Sequence, residues 1–423
     1  MRPHMNQINR QSAPTSRPHL DSESSVQEII EHCELLAKGF AERADHNDRT
    51  REFPHENFQE LRDSGLLSLM VPKDMGGLGV DFLTYTKAVE KLAMGEGSTA
   101  LAFNMHNITA GTLAEAQVGA LTGKRGKVLE DFRKWAFQEI VVNRKLFASA
   151  NSEPGIGAHF SKLKSRYRKV DGGYIINGLK SWVSMAGHAD YYVTAAKKEG
   201  AEGDFPDLSF FVIEADNPDI RIQEIWDTLG MRATCTNMMH LEDVFVPTER
   251  LFLGTQGLGM LKLVREPHWT IAGYVGVYLG LCSATFDFMI NYLQNKKKPG
   301  SDETVINSEQ VQHQVGELYV AMEACRTVVY DAARQVGENP GAPETNEAVH
   351  RSKYMVGEFG PHLASQAIRM CGGATIAKRL PLERFYRDIR CGGVMPATSD
   401  ECLLYLGKSA LGFNMTKVSE SYW

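Results

Sequence analysis

Residues that could carry chemistry are spread through this 423-residue chain without forming a familiar catalytic signature. The sequence has no G-x-G-x-x-G, H-E-x-x-H or G-x-S-x-G motif, which argues against a dinucleotide-binding fold, a metalloprotease and an α/β-hydrolase. Seven cysteines occur without a C-x-x-C pair, so neither a zinc site nor a disulfide framework is indicated, and no metal is expected. Free thiols favour a reducing compartment. We expect the cytoplasm ahead of the mitochondrial matrix.

Charge and hydropathy argue against two kinds of partner. The net charge is -6 and the pI is near 6.1, whereas nucleic-acid-binding domains are usually clearly basic. The longest uncharged run, from Trp269 to Phe286, is close to membrane-spanning length, but it contains three glycines and is not dense in Leu, Ile and Val. We interpret this run as a buried helix, and we expect neither a nucleic-acid partner nor a membrane.

Three blocks of sequence would position the functional residues. After a tail over residues 1–23 that we expect to be disordered, residues 24–145 carry apolar residues at the three-to-four spacing of helices. Residues 146–254 change to a period of two, and residues 255–423 return to the helical spacing. Because the strands follow one another without intervening helices, an antiparallel β domain is favoured over a parallel sheet. Asn177-Gly178 predicts a hairpin within this domain.

Several motifs, in this order, resemble those of the acyl-CoA dehydrogenase family. The central block contains E-P-G-x-G at Glu153–Gly157 and K-S-W-V-S at Lys180–Ser184. The C-terminal block contains the pair Gly372 and Gly373 and then P-x-E-R-x-x-R-D from Pro381. The resemblance implies an α+β multidomain fold with an all-α N-terminal domain, a central antiparallel β-barrel-like domain and a C-terminal four-helix bundle.

The resemblance also implies that FAD binds between the β domain and the bundle. Ser149, Asn151 and Ser152 stand where the family contacts the flavin ring. Trp182 would pack on that ring and Ser184 would bond it, since strand alternation places both on one face. Toward the diphosphate and the adenosine, the family's contact positions are occupied by bundle residues: Lys296, Gly372, Gly373, Thr398 and Asp400. In the family, the position of Lys296 reaches the FAD of a neighbouring subunit.

The usual catalytic glutamate of the family is absent from both positions where it occurs. Pro396 stands two residues before Thr398, where most members carry it, and Thr270 and Ile271 occupy the other position. Removal of a proton from a carbon next to a thioester suits a carboxylate in a dry pocket. Glu266, one helical turn before Thr270, is therefore our candidate for a displaced base. Asp400, Glu401 and His106 are the alternatives.

The helix that resembles the wall of the family's acyl pocket contains the sequence FNMHN. Phe103 and His106 in this stretch are the expected substrate contacts, although a lone histidine in a helix is more often a packed, hydrogen-bonded residue.

Three functions stay open on these residues. The leading hypothesis is oxidation of an acyl-CoA at its α and β carbons, with an electron-transfer flavoprotein as partner. The second is a flavin monooxygenase on the same fold, which needs no α-proton base and is supplied by a flavin reductase. The third is an inactive homologue that only binds flavin or CoA. Pairing through the bundle implies a homodimer or homotetramer.

Overall fold

The computed structural model of the protein describes residues 19–116, 123–157, 159–201, 207–420 and 422. Most of the tail predicted to be disordered, residues 1–18, lies outside the described residues. Leu20, within the remainder of that tail, is 5% exposed, and its N–H donates to the Ser64 carbonyl at 2.9 Å. The packed chain therefore begins several residues before the first helix.

The N-terminal part of the chain consists of helices. They are α1 (Val26–Thr50), α2 (His55–Asp63), α3 (Phe82–Gly95), α4 (Gly97–Glu115) and α5 (Gly123–Val141). Helix α1 begins at a capping box, in which the Ser25 hydroxyl accepts from the Glu28 N–H and the Glu28 carboxylate accepts from the Ser25 N–H. Helix α4 is buried along nearly its whole length because it packs against α3, the sheet and the long apolar helix of the bundle.

The central part of the chain forms a seven-stranded sheet. Its strands are β1 (Phe147–Ala150), β2 (Arg166–Val170), β3 (Gly173–Val183), β4 (Tyr191–Lys198), β5 (Leu208–Glu214), β6 (Ile220–Gln223) and β7 (Asn237–Pro247). The strand order is β1-β4-β2-β3-β7-β6, and β5 pairs with β4. Most pairings are antiparallel as predicted, but β4 runs parallel to both β1 and β2.

The predicted hairpin at Asn177-Gly178 is wrong. Strand β3 continues through these residues with a bulge between Ile176 and Gly178, where it remains paired with β7. Asn177 exchanges two hydrogen bonds with Asp243 on β7 instead of forming a turn. The hairpin lies earlier: β2 and β3 are joined by Asp171 and Gly172, a two-residue turn of the favoured Asp-Gly type.

The C-terminal part of the chain is helical again. Its helices are α6 (Gly259–Arg265), α7 (His268–Ile271), α8 (Gly273–Asn295), α9 (Glu309–Glu338), α10 (Pro343–Cys371), α11 (Leu382–Arg390) and α12 (Ser399–Ala410). Helix α10 packs against α8, α9 and α12 and so completes the predicted four-helix bundle. The two predicted domain boundaries, after residues 145 and 254, fall in the connections that flank the sheet.

The apolar run singled out in the sequence forms most of α7 and the first part of α8. By length and composition alone, His268–Asn295 could cross a membrane, but 78% of its 18-residue apolar window is buried inside the protein. Helix α8 packs closely on α3: a Cβ added at Gly280 would lie 2.2 Å from the Glu90 carbonyl oxygen. The run therefore has the environment of a core helix, as predicted from its glycines.

Candidate active site and cofactor contacts

A cavity of about 330 Å³ lies between α4, the sheet and the α6–α7 segment. Three of the predicted site residues line it together: Ser149 and Asn151 on and after β1, and Glu266 at the end of α6. Most of the other lining residues are apolar: Ile108, Ala116, Leu129, Phe160, Val193, Phe210, Phe252, Leu253, Leu258, Leu261, Leu263 and Trp269. An apolar pocket with a few polar groups at its edge is the usual form of a small-molecule site.

The end of β1 presents polar groups to this cavity. Ser149 pairs with Val193 of β4, and the Thr194 hydroxyl donates to the Ala150 carbonyl at 2.7 Å, which ties β1 to the sheet. The Asn151 Oδ1 atom is buried and has no hydrogen-bond partner among the described residues. A buried acceptor left without a partner is costly, so a ligand that donates to it would be favoured.

A buried ion pair holds the loop that follows β1. The Lys180 Nζ donates to a Glu153 carboxylate oxygen at 2.9 Å, and both side chains are at most 2% exposed. The N–H groups of Lys164 and Ser165 also donate to Glu153, at 2.6 and 2.9 Å. Burial raises the pKa of Glu153, but Lys180 and these hydrogen bonds outweigh it and hold the pKa below its ordinary value. The E-P-G-x-G loop is thereby fixed to the Lys180 end of β3.

The tryptophan and the serine at the end of β3 do not share one face. Trp182 has φ 59° beside a second bulge of β3, and this breaks the alternation on which the prediction rested. Its indole is 58% exposed and meets Trp226 edge to face at 5.5 Å. Ser184 is buried instead, with its hydroxyl 2.9 Å from that of Thr236. An exposed indole next to the β1 end remains available for a planar ring.

Two of the bundle residues predicted to contact the cofactor lie together. The Lys296 Nζ donates to the Met370 carbonyl at 3.1 Å, and a Cβ added at Gly372 would lie 3.3 Å from the same Nζ. Gly372 has φ 93°, a conformation that favours glycine. Gly373 faces open space. The Lys296 ammonium group, next to a backbone without side chains at Gly372 and Gly373, is chemically suited to bind a phosphate group.

The segment around Pro396 is held by a lysine that the sequence pattern did not single out. Lys353 of α10 is 1% exposed, and its ammonium donates to the carbonyls of Gly392, Met395 and Ala397 at 2.7, 3.1 and 2.9 Å. Burial lowers the pKa of Lys353 to about 8. One buried ammonium group therefore holds the backbone on both sides of Pro396, the family's usual base position. The sequence pattern of α10 does not indicate this role for Lys353.

The start of α12 uses its polar side chains for capping. The Thr398 hydroxyl accepts from the Glu401 N–H at 3.2 Å, and the Glu401 carboxylate accepts from the Thr398 N–H at 2.7 Å. Asp400 lies in the first turn and is exposed. The predicted roles of Thr398 and Asp400 at the adenosine remain predictions.

Phe103 and His106 lie in the core, which corrects their assignment to the substrate pocket. Both are fully buried, and neither lines the cavity. The His106 Nε2 bonds to the Leu67 carbonyl at 2.8 Å, and its Nδ1 accepts from the Phe147 N–H at 3.2 Å. Burial lowers the pKa of His106 to about 4, so the ring is neutral at physiological pH. The residues of α4 that do reach the cavity lie on the next turns: Ile108, Thr109 and Thr112.

Glu266 ends α6 as its C-cap residue and is followed by Pro267, so it marks a helix end. Its carboxylate forms an ion pair with Lys262 one turn earlier, and its side chain is 37% exposed. Thr270, at one of the family's positions for the base, also lines the cavity, but its hydroxyl donates to the Pro267 carbonyl at 2.8 Å. Glu266 is the one carboxylate among the lining residues of the described chain.

Several predicted cofactor contacts have the chemistry that a flavin requires. The unpartnered Asn151 Oδ1 can accept from a ring N–H, the exposed Trp182 indole offers an aromatic surface, and Lys296 beside Gly372 can hold a phosphate. Asn151 and Trp182 thus have the chemistry that the ring end of such a cofactor needs, and Lys296 with Gly372 has the chemistry that a phosphate end needs.

Comparison with known proteins identifies the class. Residues 27–117 match the acyl-CoA dehydrogenase N-terminal domain, residues 148–244 the middle domain, and residues 271–401 the C-terminal domain. These domains and the site define a flavin-dependent oxidoreductase of the acyl-CoA dehydrogenase type, and FAD is its typical cofactor. The chain belongs to the acyl-CoA dehydrogenase family, as its motifs predicted.

Individual relatives are similar along most of the chain. The protein YdbM of Bacillus subtilis (strain 168) is 26% identical over 385 residues, which is 90% of this chain and 96% of YdbM. The mitochondrial short/branched chain specific acyl-CoA dehydrogenase of Rattus norvegicus is 28% identical over 353 residues, 84% and 78% of the two chains.

Solved structures share the fold. Butyryl-CoA dehydrogenase from Megasphaera elsdenii aligns with a TM-score of 0.80 and 21% identity over 91% of this chain and 98% of its own. KijD3 in complex with FMN and a dTDP-linked amino sugar aligns with a TM-score of 0.80 and 23% identity, over 92% and 96%.

Proposed function

We propose that the protein oxidises an acyl-CoA thioester between its α and β carbons, with Glu266 as the base that takes the α proton. When bound, FAD accepts the hydride that leaves the β carbon. The observation that carries the proposal is the position of Glu266: among the described residues it is the one carboxylate on a mostly apolar cavity that also contains Ser149 and Asn151. A carboxylate positioned against the substrate can take the α proton of a thioester while the hydride leaves the β carbon.

The other groups of the cavity suit the same substrate. The apolar walls favour burial of an acyl chain. Lys262 and Arg265 lie beside Glu266 and give this edge of the cavity a positive charge, which suits the phosphates of CoA. The relatives' names support the substrate class, since they include short-chain and short/branched chain specific acyl-CoA dehydrogenases.

Product analysis tests the reaction. The purified protein is incubated with a panel of saturated acyl-CoAs and an artificial electron acceptor, and the thioesters are analysed by mass spectrometry. We expect an enoyl-CoA that has lost two hydrogens for at least one member of the panel. If the flavin-loaded protein forms no enoyl-CoA from any of them, the proposal is wrong.

A flavin monooxygenase is the second candidate, and Pro396 favours it. Neither Pro396 nor Thr270 can act as the family's base, and a monooxygenase does not need one. The acceptable substrates would then differ, because KijD3 binds a nucleotide-linked sugar on the same fold. Turnover that requires oxygen and a separate flavin reductase, with acyl-CoAs left unchanged, would support this candidate instead.

Partners and location follow from the same proposal. We propose an electron-transfer flavoprotein as the acceptor, a cytoplasmic location, and a dimer or tetramer assembled through the bundle. Exposed apolar side chains on two bundle helices support the assembly: Tyr319 and Val320 on α9, and Leu403 and Leu404 on α12. Light scattering on the purified protein gives the oligomeric state, and a monomer would overturn this part.

A further inference from the structure

Trp269 separates the cavity from the packed core of the helical domain. It belongs to the short helix α7, is 2% exposed and lines the cavity. On the side of α3, the indole meets Phe82 edge to face at 4.9 Å and Tyr85 at 5.3 Å. Neither of these rings lines the cavity. The indole therefore forms the wall between the cavity and α3.

A glycine on α4 makes room for this indole. A Cβ added at Gly111 would lie 1.8 Å from the Trp269 Cζ2 atom, far inside any possible contact. No residue other than glycine fits opposite the ring in its present position. The wall is thus built from a matched pair, one very large side chain on α7 and no side chain on α4.

We propose that Trp269 sets the longest acyl chain that the cavity accepts and so restricts the enzyme to short and medium acyl thioesters. This inference rests on the proposed function of the cavity as the acyl site. The cavity volume of about 330 Å³ lies at the small end of the usual range for ligand pockets. The space behind the indole is bounded by Phe82, Tyr85 and Gly111, so removal of the ring would extend the cavity toward an apolar region.

The test measures how the affinity of the FAD-loaded protein for acyl-CoA depends on the length of the acyl chain, and we call this series the binding ladder. Dissociation constants for straight-chain saturated acyl-CoAs of increasing length are measured by titration calorimetry under anaerobic conditions, with the wild type and with Trp269→Ala. For the wild type, affinity should rise with chain length up to a limit and then fall. For Trp269→Ala, the limit should move to longer chains, with about four-fold tighter binding for each newly buried methylene. An unchanged limit in a folded variant overturns the inference.

Two further variants keep the result interpretable. Trp269→Phe retains an aromatic wall and should shift the limit less than the alanine variant, and it replaces that variant if Trp269→Ala does not fold. Trp135→Phe removes the same atoms from a tryptophan that does not line the cavity, so it should leave the limit unchanged. If Trp135→Phe shifts the limit equally, the effect is not specific to the wall and the inference fails.

The binding ladder is independent of turnover. A wild-type ladder with a limit that Trp269→Ala moves, but without enoyl-CoA product, supports the wall and contradicts the proposed reaction. Product formation with an unmoved limit supports the reaction and contradicts the wall. Absence of acyl-CoA binding in every variant contradicts both.

Discussion

At the scale of single residues, Glu266 carries the chemistry of the proposed reaction. Glu266→Gln keeps the size and polarity of the side chain but removes its ability to accept a proton. We expect the rate of flavin reduction by acyl-CoA to fall by about 10²- to 10⁴-fold, since this is the usual contribution of a positioned acid or base. The dissociation constant for acyl-CoA should change little. Stopped-flow absorbance and calorimetry measure the two quantities.

A matched control for Glu266 is Glu31→Gln, which neutralises an exposed acid on α1 that does not line the cavity. Its reduction rate should equal that of the wild type. If Glu266→Gln also reduces its flavin at the wild-type rate, Glu266 is not the base.

The pair Gly111 and Trp269 gives a second prediction at this scale. In Gly111→Ala the added methyl group would overlap the Trp269 indole. Because such overpacking is destabilising, the free energy of unfolding should fall by about 1–3 kcal/mol. Because Trp269→Ala removes the clash, the added cost of Gly111→Ala should largely disappear in the double variant. Denaturant unfolding of all four proteins gives the coupling energy. Additive effects would show that the two residues do not compete for one space.

The roles of individual side chains were the hardest feature to predict from the sequence. Ser149 and Asn151 could be predicted as neighbours of one site because they belong to a short motif at the end of a strand. The role of His106 could not, because its two hydrogen-bond partners, Leu67 and Phe147, come from distant segments. Lys353 was missed for the same reason: its three carbonyl partners lie about 40 residues further along the chain.

At the scale of elements, the Glu153–Lys180 ion pair joins the loop after β1 to β3. Lys180→Met would leave the Glu153 carboxylate buried without its cation and should lower the free energy of unfolding by about 3–5 kcal/mol. Adding Glu153→Gln removes the uncompensated charge and should recover part of this loss. Chemical denaturation measures both variants.

Lys134→Met provides the control, because it removes the cation of an exposed ion pair with Glu130 and should have little effect on stability. If Lys180→Met is no more destabilising than Lys134→Met, the buried pair does not hold the loop.

Element boundaries show where local patterns mislead. Asn177-Gly178 has the composition of a tight turn, but its neighbours pair with β7, and the long antiparallel pairing outweighs the local preference. The true turn, Asp171-Gly172, has the same type of signal, so the sequence contained two candidates and no local basis for the choice. Similarly, the bulge at Trp182 could not be inferred from a period of two, which assumes an unbroken strand.

At the scale of the whole molecule, two fully buried histidines make stability depend on pH. Burial lowers the pKa of His106 and of His350 to about 4, against an ordinary value of 6.5. Between these values the unfolded chain binds more protons than the folded chain, so the free energy of unfolding falls as the pH is lowered from 6.5 to 4. The fall is about 1.4 kcal/mol per pH unit for each histidine.

His106→Gln tests this dependence because other titrating groups cancel in the comparison. Denaturant unfolding across that pH range should show a smaller slope for the variant than for the wild type, by about 1.4 kcal/mol per pH unit. His350→Gln, at the second buried histidine, should reduce the slope by the same amount. Equal slopes for His106→Gln and the wild type would contradict the neutral state of buried His106.

The order of helical, β and helical parts along the chain was predictable because it depends on periods that repeat over many residues. Helical spacing, a period of two and a return to helical spacing gave the order of domains, and the family motifs gave their arrangement. The parallel pairings of β4 with β1 and β2 were not predictable, since a strand's own period does not reveal its neighbours.

The central claim is that a bound flavin lies where an acyl-CoA in the cavity can reduce it. An anaerobic titration of the FAD-loaded protein with a short- or medium-chain acyl-CoA tests it most directly. The account predicts that the yellow absorbance bleaches in proportion to the thioester added. A yellow protein that binds the thioester but keeps its colour through the whole acyl-CoA panel would contradict the account.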